Sequence, residues 1–129
     1  MNILQELKYS KDHEWVKIEG NRATVGITDF AQSQLGDVVF VEVPSVNAAV
    51  KSGAGFSVVE SVKAVSDIYA PLSGTVVEVN EGLTDAPETV NSDPYGEGWI
   101  AVIEISDASE VAQLMDADAY AAFIQAGGE

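Results

Sequence analysis

A chain of 129 residues, 47% of them hydrophobic, has the size of one domain and enough apolar side chains to bury its own core, so a second domain is not expected. Its 21 acidic against 6 basic side chains give a formal net charge of −15, which repels phosphate backbones and anionic lipid and excludes nucleic acid and membrane surfaces as partners. Cysteine is absent, which removes disulfides, thiolate nucleophiles and cysteine-based zinc sites.

No apolar run is long enough to cross a bilayer, and Met1-Asn2-Ile3-Leu4-Gln5-Glu6 has neither the charged and apolar regions of a signal peptide nor an Arg-rich transit sequence. The chain is therefore expected in the cytoplasm, in preference to being the mature form of a mitochondrial protein. Its acidic excess serves solubility or steers it toward basic faces of partner proteins, and composition alone leaves both open.

In chain order, His13-Glu14-Trp15-Val16-Lys17-Ile18 alternates polar and apolar as a strand does, Glu19-Gly20-Asn21 turns, and Arg22 to Ile27 returns. Thr28-Asp29 caps a short helix over Phe30 to Leu35, which Gly36 stops. Five short strands follow, Val38 to Val43, Phe56 to Val62, Val65 to Ala70, Thr75 to Val79 and Trp99 to Ile105, punctuated by Pro44, Gly53, Pro71 and Gly82. Gly36-Asp37-Val38-Val39 resembles Gly74-Thr75-Val76-Val77, so the core reads as two related halves that close small sheets on one another in a flattened barrel or sandwich. Leu83 to Ser92, with Pro87 inside it, has room for one helical turn at most. Asp107 caps a turn through Leu114. Met115 to Ala126 is a helix that places Met115, Ala119, Ala122, Phe123 and Ala126 on the face toward the barrel, ahead of Gly127-Gly128.

Chemistry concentrates on one lysine. Strands on both sides of Ser61-Val62-Lys63-Ala64 make a hairpin over residues 56 to 70 that lifts Lys63 clear of the body. A lone hairpin lysine is ordinarily a solvated charge, and nothing in spacing alone says more. His13, the single histidine, stands beside no serine or cysteine motif and reads as structural. The carboxylates have no metal-ligand spacing, and Gly53-Ala54-Gly55 lacks the third glycine and the following helix of a phosphate loop. No catalyst is apparent.

The segment Val59-Glu60-Ser61-Val62-Lys63-Ala64, with Pro71, Ser73-Gly74 and Val76-Val77-Glu78-Val79-Asn80 after it, resembles the lipoyl-lysine hairpin of the glycine cleavage system H protein family. His13-Glu14-Trp15, Gly26-Ile27-Thr28, Leu35 to Val41, Asn91-Ser92-Asp93-Pro94-Tyr95 and Gly98-Trp99 resemble that family's other landmarks, so the likeness covers nearly the whole chain. Biotin carriers have Ala-Met-Lys-Met and acyltransferase lipoyl domains Thr-Asp-Lys-Ala, and neither is found here.

The resemblance implies a mainly β, lipoyl-domain-like barrel and sandwich hybrid over residues 1 to 129, with lipoic acid in amide linkage to Lys63. It implies a non-catalytic, monomeric carrier that shuttles an aminomethyl group from glycine decarboxylase, a pyridoxal-phosphate enzyme, to a tetrahydrofolate-dependent aminomethyltransferase, and then electrons to dihydrolipoyl dehydrogenase. A lipoate ligase or a lipoyl/octanoyl transferase would load the lysine. A cysteine-free scaffold is consistent with a dithiol cargo, since it cannot trap the arm by exchange.

By the same resemblance, Glu14 and Asp67, with Asp12 beside them, line the cleft where the arm rests, and Glu60 and Gly74 serve recognition by the lipoylating enzyme. Glycine at 74 has its own simpler explanation, a strand entry that needs positive φ. Gln34 departs from the His-Leu-Gly that many relatives have, which leaves its contact with the arm open. Two other readings of the fold stand beside the shuttle: a lipoate relay that hands lipoate to other enzymes, and an unmodified binding module.

Overall fold

The structure, a computed structural model, describes residues 2–127. The ends of the expected 1–129 domain, and Gly128 of the expected helix stop, lie outside the described residues.

Among the described residues nine strands form two antiparallel sheets. The larger has the order β1 (Lys8–Tyr9), β2 (Glu14–Glu19), β3 (Arg22–Ile27), β9 (Ala101–Ile105), β8 (Gly74–Val79), β5 (Ala49–Val50). The smaller has the order β4 (Val38–Glu42), β6 (Gly55–Ser61), β7 (Val65–Tyr69). Val41, Val59 and Ile68 from the small sheet meet Ile27, Val76 and Ala101 from the large one in the main core. That is a sandwich, and the barrel half of the expected hybrid does not close, because no ladder joins the two sheets among the described residues. β4 and β8, the two segments that look alike in sequence, fall in different sheets, with the lysine hairpin β6–β7 between them in the chain.

The expected strands form with their ends moved by a residue or two, and β1 and β5, two residues each, carry too little pattern to be read in advance. Regular alternation fails in β2, where Glu14, Trp15 and Val16 are all buried. Trp15 belongs to the cluster under the C-terminal helix and Val16 to a third cluster with Ala23 and Leu72, so this strand is covered on both faces. Helix α1 (Asp29–Leu35) starts as expected, with the Thr28 hydroxyl accepting from the Ala31 amide at 3.2 Å, and stops at Gly36 with φ 79°.

Two helical turns, α2 (Gly82–Asp85) and α3 (Thr89–Ser92), replace the single one expected after Leu83. Pro87 separates them without harm, since it precedes the first turn of α3, where an N–H has no helical partner anyway. Leu83 and Val90 from these turns plug one end of the sandwich.

Asp107 caps a 3₁₀ turn over Ala108–Gln113, and α4 runs over Ala117–Gln125, two residues later than the expected start. Met115 instead forms an isolated antiparallel bridge with Tyr9 of β1. Of the expected face Met115 and Phe123 do pack on the cluster around Tyr9 and Trp15, but Ala119, Ala122 and Ala126 are exposed, and Ala117 and Tyr120 are the residues of α4 that are fully inside. Alanines bury little area, so the Tyr120 ring, stacked on Tyr9 with centroids 4.5 Å apart, sets the helix orientation.

Candidate functional site

Lys63 stands at the exposed tip of the β6–β7 hairpin, between Val62 and Ala64, which are exposed too. The turn is held by one small hydroxyl. Ser61 Oγ accepts from the Ala64 amide at 3.0 Å and the Lys63 amide at 3.3 Å, while the Ser61 amide donates to Ala64 O at 2.8 Å. The Val62 amide donates to Asp37 O at 3.0 Å, which ties the turn to the segment between α1 and β4. That segment is fixed in turn by Asn91, whose side chain accepts from the Val38 amide and donates to Gly36 O and Gln32 Oε1, all within 3.0 Å.

The lysine stem lies back over Gly36, where an added Cβ would come within 3.4 Å of Lys63 Cε. It thus starts from the C-terminal end of α1, and α1 forms one wall of a cleft of about 290 Å³. Phe30, Ala31, Gln34 and Leu35 line it from α1, Ser66, Asp67 and Ile68 from β7, and Asp12, His13 and Ile27 close it. The lining is largely apolar, and its two carboxylates, Asp12 and Asp67, belong to exposed residues. Gln34 faces this cleft, so the departure from the family's histidine falls on the cleft wall.

The residue between the two N-terminal acids sets their positions. His13 has φ 67°, a left-handed backbone rarely taken by a residue with a side chain. It turns the chain so that Asp12 is exposed at the cleft while Glu14, which a regular strand would put on the same face, is 1% exposed and absent from the cleft lining. His13 is itself buried, its Nδ1 2.8 Å from the Tyr120 hydroxyl, which lies 2.7 Å from Thr28 Oγ1, and its ring packs on Phe30 at 4.7 Å.

Glu14 is buried outside the cleft lining and links the sheets. It accepts from Ser10 Oγ at 2.5 Å and from the Tyr69 amide of β7 at 3.3 Å. Burial pushes its carboxyl up to about 7, with Asp12 adding to the rise and the Ser10 and Tyr69 bonds opposing it.

The remaining two residues lie apart. Glu60 is half-buried on β6, opposite Phe40 on one side and Val65 on the other. Gly74 is on the other sheet, and positive φ is not why it is glycine. A Cβ there would run into the Glu104 carbonyl oxygen and stand 2.8 Å from Ile103 Cγ2, so the close approach of β9 excludes a side chain. Ser61 and Asn91, which shape the site, were missed by sequence reasoning. Ser61 was legible as a short hydroxyl residue at a turn, whereas the Asn91 contacts span more than 50 residues of chain. Among the described residues no group of three or more His, Asp or Glu side chains is placed to hold a metal ion, and no helix is long and apolar enough to cross a membrane.

Residues 7–127 match the family model described as Glycine cleavage H-protein. Proteins with the name glycine cleavage system H protein are 57% identical over 125 residues in Anaeromyxobacter sp. (strain K), covering 97% of this chain and 98% of theirs, and 58% identical over 120 residues in Bacillus subtilis (strain 168), covering 93% and 94%. The crystal structure of a glycine cleavage system H protein from Mycobacterium marinum superposes with a TM-score of 0.87 at 41% identity, over 97% of this chain and 99% of that one. By sequence over nearly its full length and by fold, this chain belongs to the glycine cleavage H-protein family.

Proposed function

We propose that this chain is the lipoyl carrier of a glycine cleavage system, with lipoic acid in amide linkage to Lys63 and no catalytic residue of its own. The observation that carries this reading is the lysine at a braced hairpin tip, its stem lying over Gly36 toward the helix that walls the cleft. A long, mostly apolar arm with a polar terminus fits that lining, since Ile27, Phe30, Ala31, Leu35 and Ile68 offer aliphatic and aromatic contact and Asp12 and Asp67 carry charge. When bound, the lipoyl group supplies a disulfide that takes up the one-carbon amine left by glycine and ends as a dithiol to be reoxidised.

The residues of the chain hold, shield and charge-match that cargo. Lys63 tethers it, which raises its effective concentration at each successive active site. The apolar wall keeps water from it between visits. Asp12 and Asp67 in the cleft lining attract an ammonium group, and Glu14, bonded to the Tyr69 amide, adds negative potential once it is ionised. A cation at the cleft favours the ionised form of Glu14, so docking and deprotonation reinforce one another. An uncharged arm gains nothing from these carboxylates and is free to swing.

The partners in this reading are glycine decarboxylase, aminomethyltransferase and dihydrolipoyl dehydrogenase, with a lipoate ligase or a lipoyl/octanoyl transferase loading Lys63. The cleft favours the carrier over the relay, because a relay needs only a displayed lysine and no shelter for a cationic load. The test is reconstitution of the loaded protein with the three enzymes. Glycine-dependent reduction of NAD should need Lys63, and Asp12→Asn or Asp67→Asn should let formaldehyde escape faster. Lipoate transfer to other proteins without any glycine-dependent NAD reduction would identify a relay instead.

A further inference from the structure

The C-terminal helix α4 reaches the cleft through one hydroxyl. Tyr120 is fully buried with its ring stacked on Tyr9, a packing role that a phenylalanine would fill equally well. Its Oη lies 2.8 Å from His13 Nδ1 and 2.7 Å from Thr28 Oγ1, across 107 and 92 residues of chain. Burial raises its pKa above the ordinary tyrosine value, so the hydroxyl keeps its proton and is committed to these two neighbours. Both of them shape the cleft. His13 lines it, and its left-handed backbone decides where Asp12 and Glu14 go. Thr28 accepts from the Ala31 amide and so starts α1, the wall that carries Phe30, Ala31, Gln34 and Leu35. Phe123, one turn farther along α4, packs on the His13 ring at 5.8 Å, so this helix holds a ring whose backbone conformation needs support from its surroundings.

We propose that Tyr120 is a positioning residue for the loaded arm: its hydroxyl, acting through His13 and Thr28, holds the His13 side of the cleft and the α1 wall in one arrangement, and α4 thereby sets how long the load is retained. The inference rests on the carrier reading given above. Without the hydroxyl, His13 loses the bond that fixes its ring, and the cap of α1 loses its tie to α4. The left-handed turn then relaxes, which moves Asp12 and Glu14 relative to Asp67 and opens the apolar wall to water. Water that reaches the aminomethyl group gives its oxygen to the carbon, which leaves as formaldehyde; the nitrogen leaves as ammonium and the sulfur regains a proton as a thiol.

The experiment loads the lipoylated protein with glycine and glycine decarboxylase, isolates it, and follows formaldehyde release. Tyr120→Phe should shorten the half-life of the load about fivefold, the effect expected from losing one buried hydrogen bond. Tyr9→Phe takes the hydroxyl from the other ring of the same stack, where it is 2.8 Å from Leu4 N and 2.7 Å from Leu4 O, and should keep the parent half-life although it too removes a buried bond. His13 is the single histidine, so its ring gives one set of nitrogen resonances, which should move in Tyr120→Phe and stay in place in Tyr9→Phe. If Tyr120→Phe does not fold, Thr28→Val and Thr28→Ser make the same test: the first should shorten the half-life, and the second, which keeps a hydroxyl, should stay near the parent. A parent-like half-life in Tyr120→Phe, or in Thr28→Val where the former does not fold, would overturn the proposal and leave the carrier reading standing. So would an equal loss in Tyr9→Phe or an unmoved His13 signal. A parent that takes up no load from glycine would overturn the carrier reading, and the role of Tyr120 with it.

Discussion

The two sheets of this molecule are built from similar residues and put to opposite uses. In the large sheet β2, β3 and β9 carry runs of consecutive buried residues, because the main core lies on one face and α4 and the 3₁₀ turn lie on the other. In the small sheet burial alternates strictly along β6, and the outward face is left open. A strand covered twice is rigid and intolerant of change; a strand covered once can display a side chain. The lysine hairpin uses the second kind of strand and is anchored on the first kind through the Glu14 bond to Tyr69.

Substitutions on the two sheets should separate most widely where burial differs most. Ile103→Ala, at a fully buried position of β9, should cost about 2–5 kcal/mol in denaturant unfolding, and Val65→Ala on the open face less than about 0.5 kcal/mol. Comparable losses at the two positions would mean the small sheet is as tightly covered as the large one.

The anchor between the sheets should be sensitive to pH. Because the folded-state value of Glu14 is raised from 4.5 to about 7, the folded protein holds this proton more tightly than the unfolded chain. Its contribution to stability is complete below about 4.5, declines as pH rises through the interval to about 7, and is flat above it, a loss on the order of 3 kcal/mol. Glu14→Gln, which can still accept from the Tyr69 amide, should flatten this decline and melt higher than the parent at alkaline pH. A parent curve with no slope between those values would remove the buried-acid account.

Gly74→Ala tests the large sheet at its tightest point. The methyl group would meet the Glu104 carbonyl, so a loss of about 1–3 kcal/mol is expected, with lipoylation per folded molecule unchanged. Slower lipoylation of a fully stable variant would instead assign Gly74 to recognition. A smaller effect is expected at the turn. Ser61→Ala removes the hydroxyl that accepts from the Lys63 and Ala64 amides, which should cost about 1 kcal/mol and slow acylation of Lys63, because the turn would no longer hold one shape. Parent-like acylation in this variant would show that the turn needs no brace.

Much of this was legible in the chain, for identifiable reasons. Strand pattern, Thr28 and Gly36 mark the elements because local chemistry decides them, whereas Lys63 stood out only through the resemblance of its hairpin to a known family. The cleft was legible in part. The resemblance, and not any strand pattern, pointed to Asp12, Glu14 and Asp67; Asp12 and Asp67 are in the lining of the cleft, while Glu14 is buried and outside it, next to the left-handed His13. The inward face of α4 was misjudged in part, since spacing counts alanines equally with a tyrosine, whereas burial is governed by area. The bonds of Asn91 to Val38 and Gly36 depend on two distant segments meeting, which no local pattern records.

The most direct test of the carrier reading is the covalent state of the hairpin. After production with lipoate and lipoate ligase, intact mass and peptide mapping should find one lipoyl group per chain, on Lys63 alone. Lys63→Arg should carry none and melt within a few degrees of the parent, as an exposed turn residue contributes little to stability. Lipoate on another lysine, or an unmodified Lys63 under these conditions, would contradict the assignment.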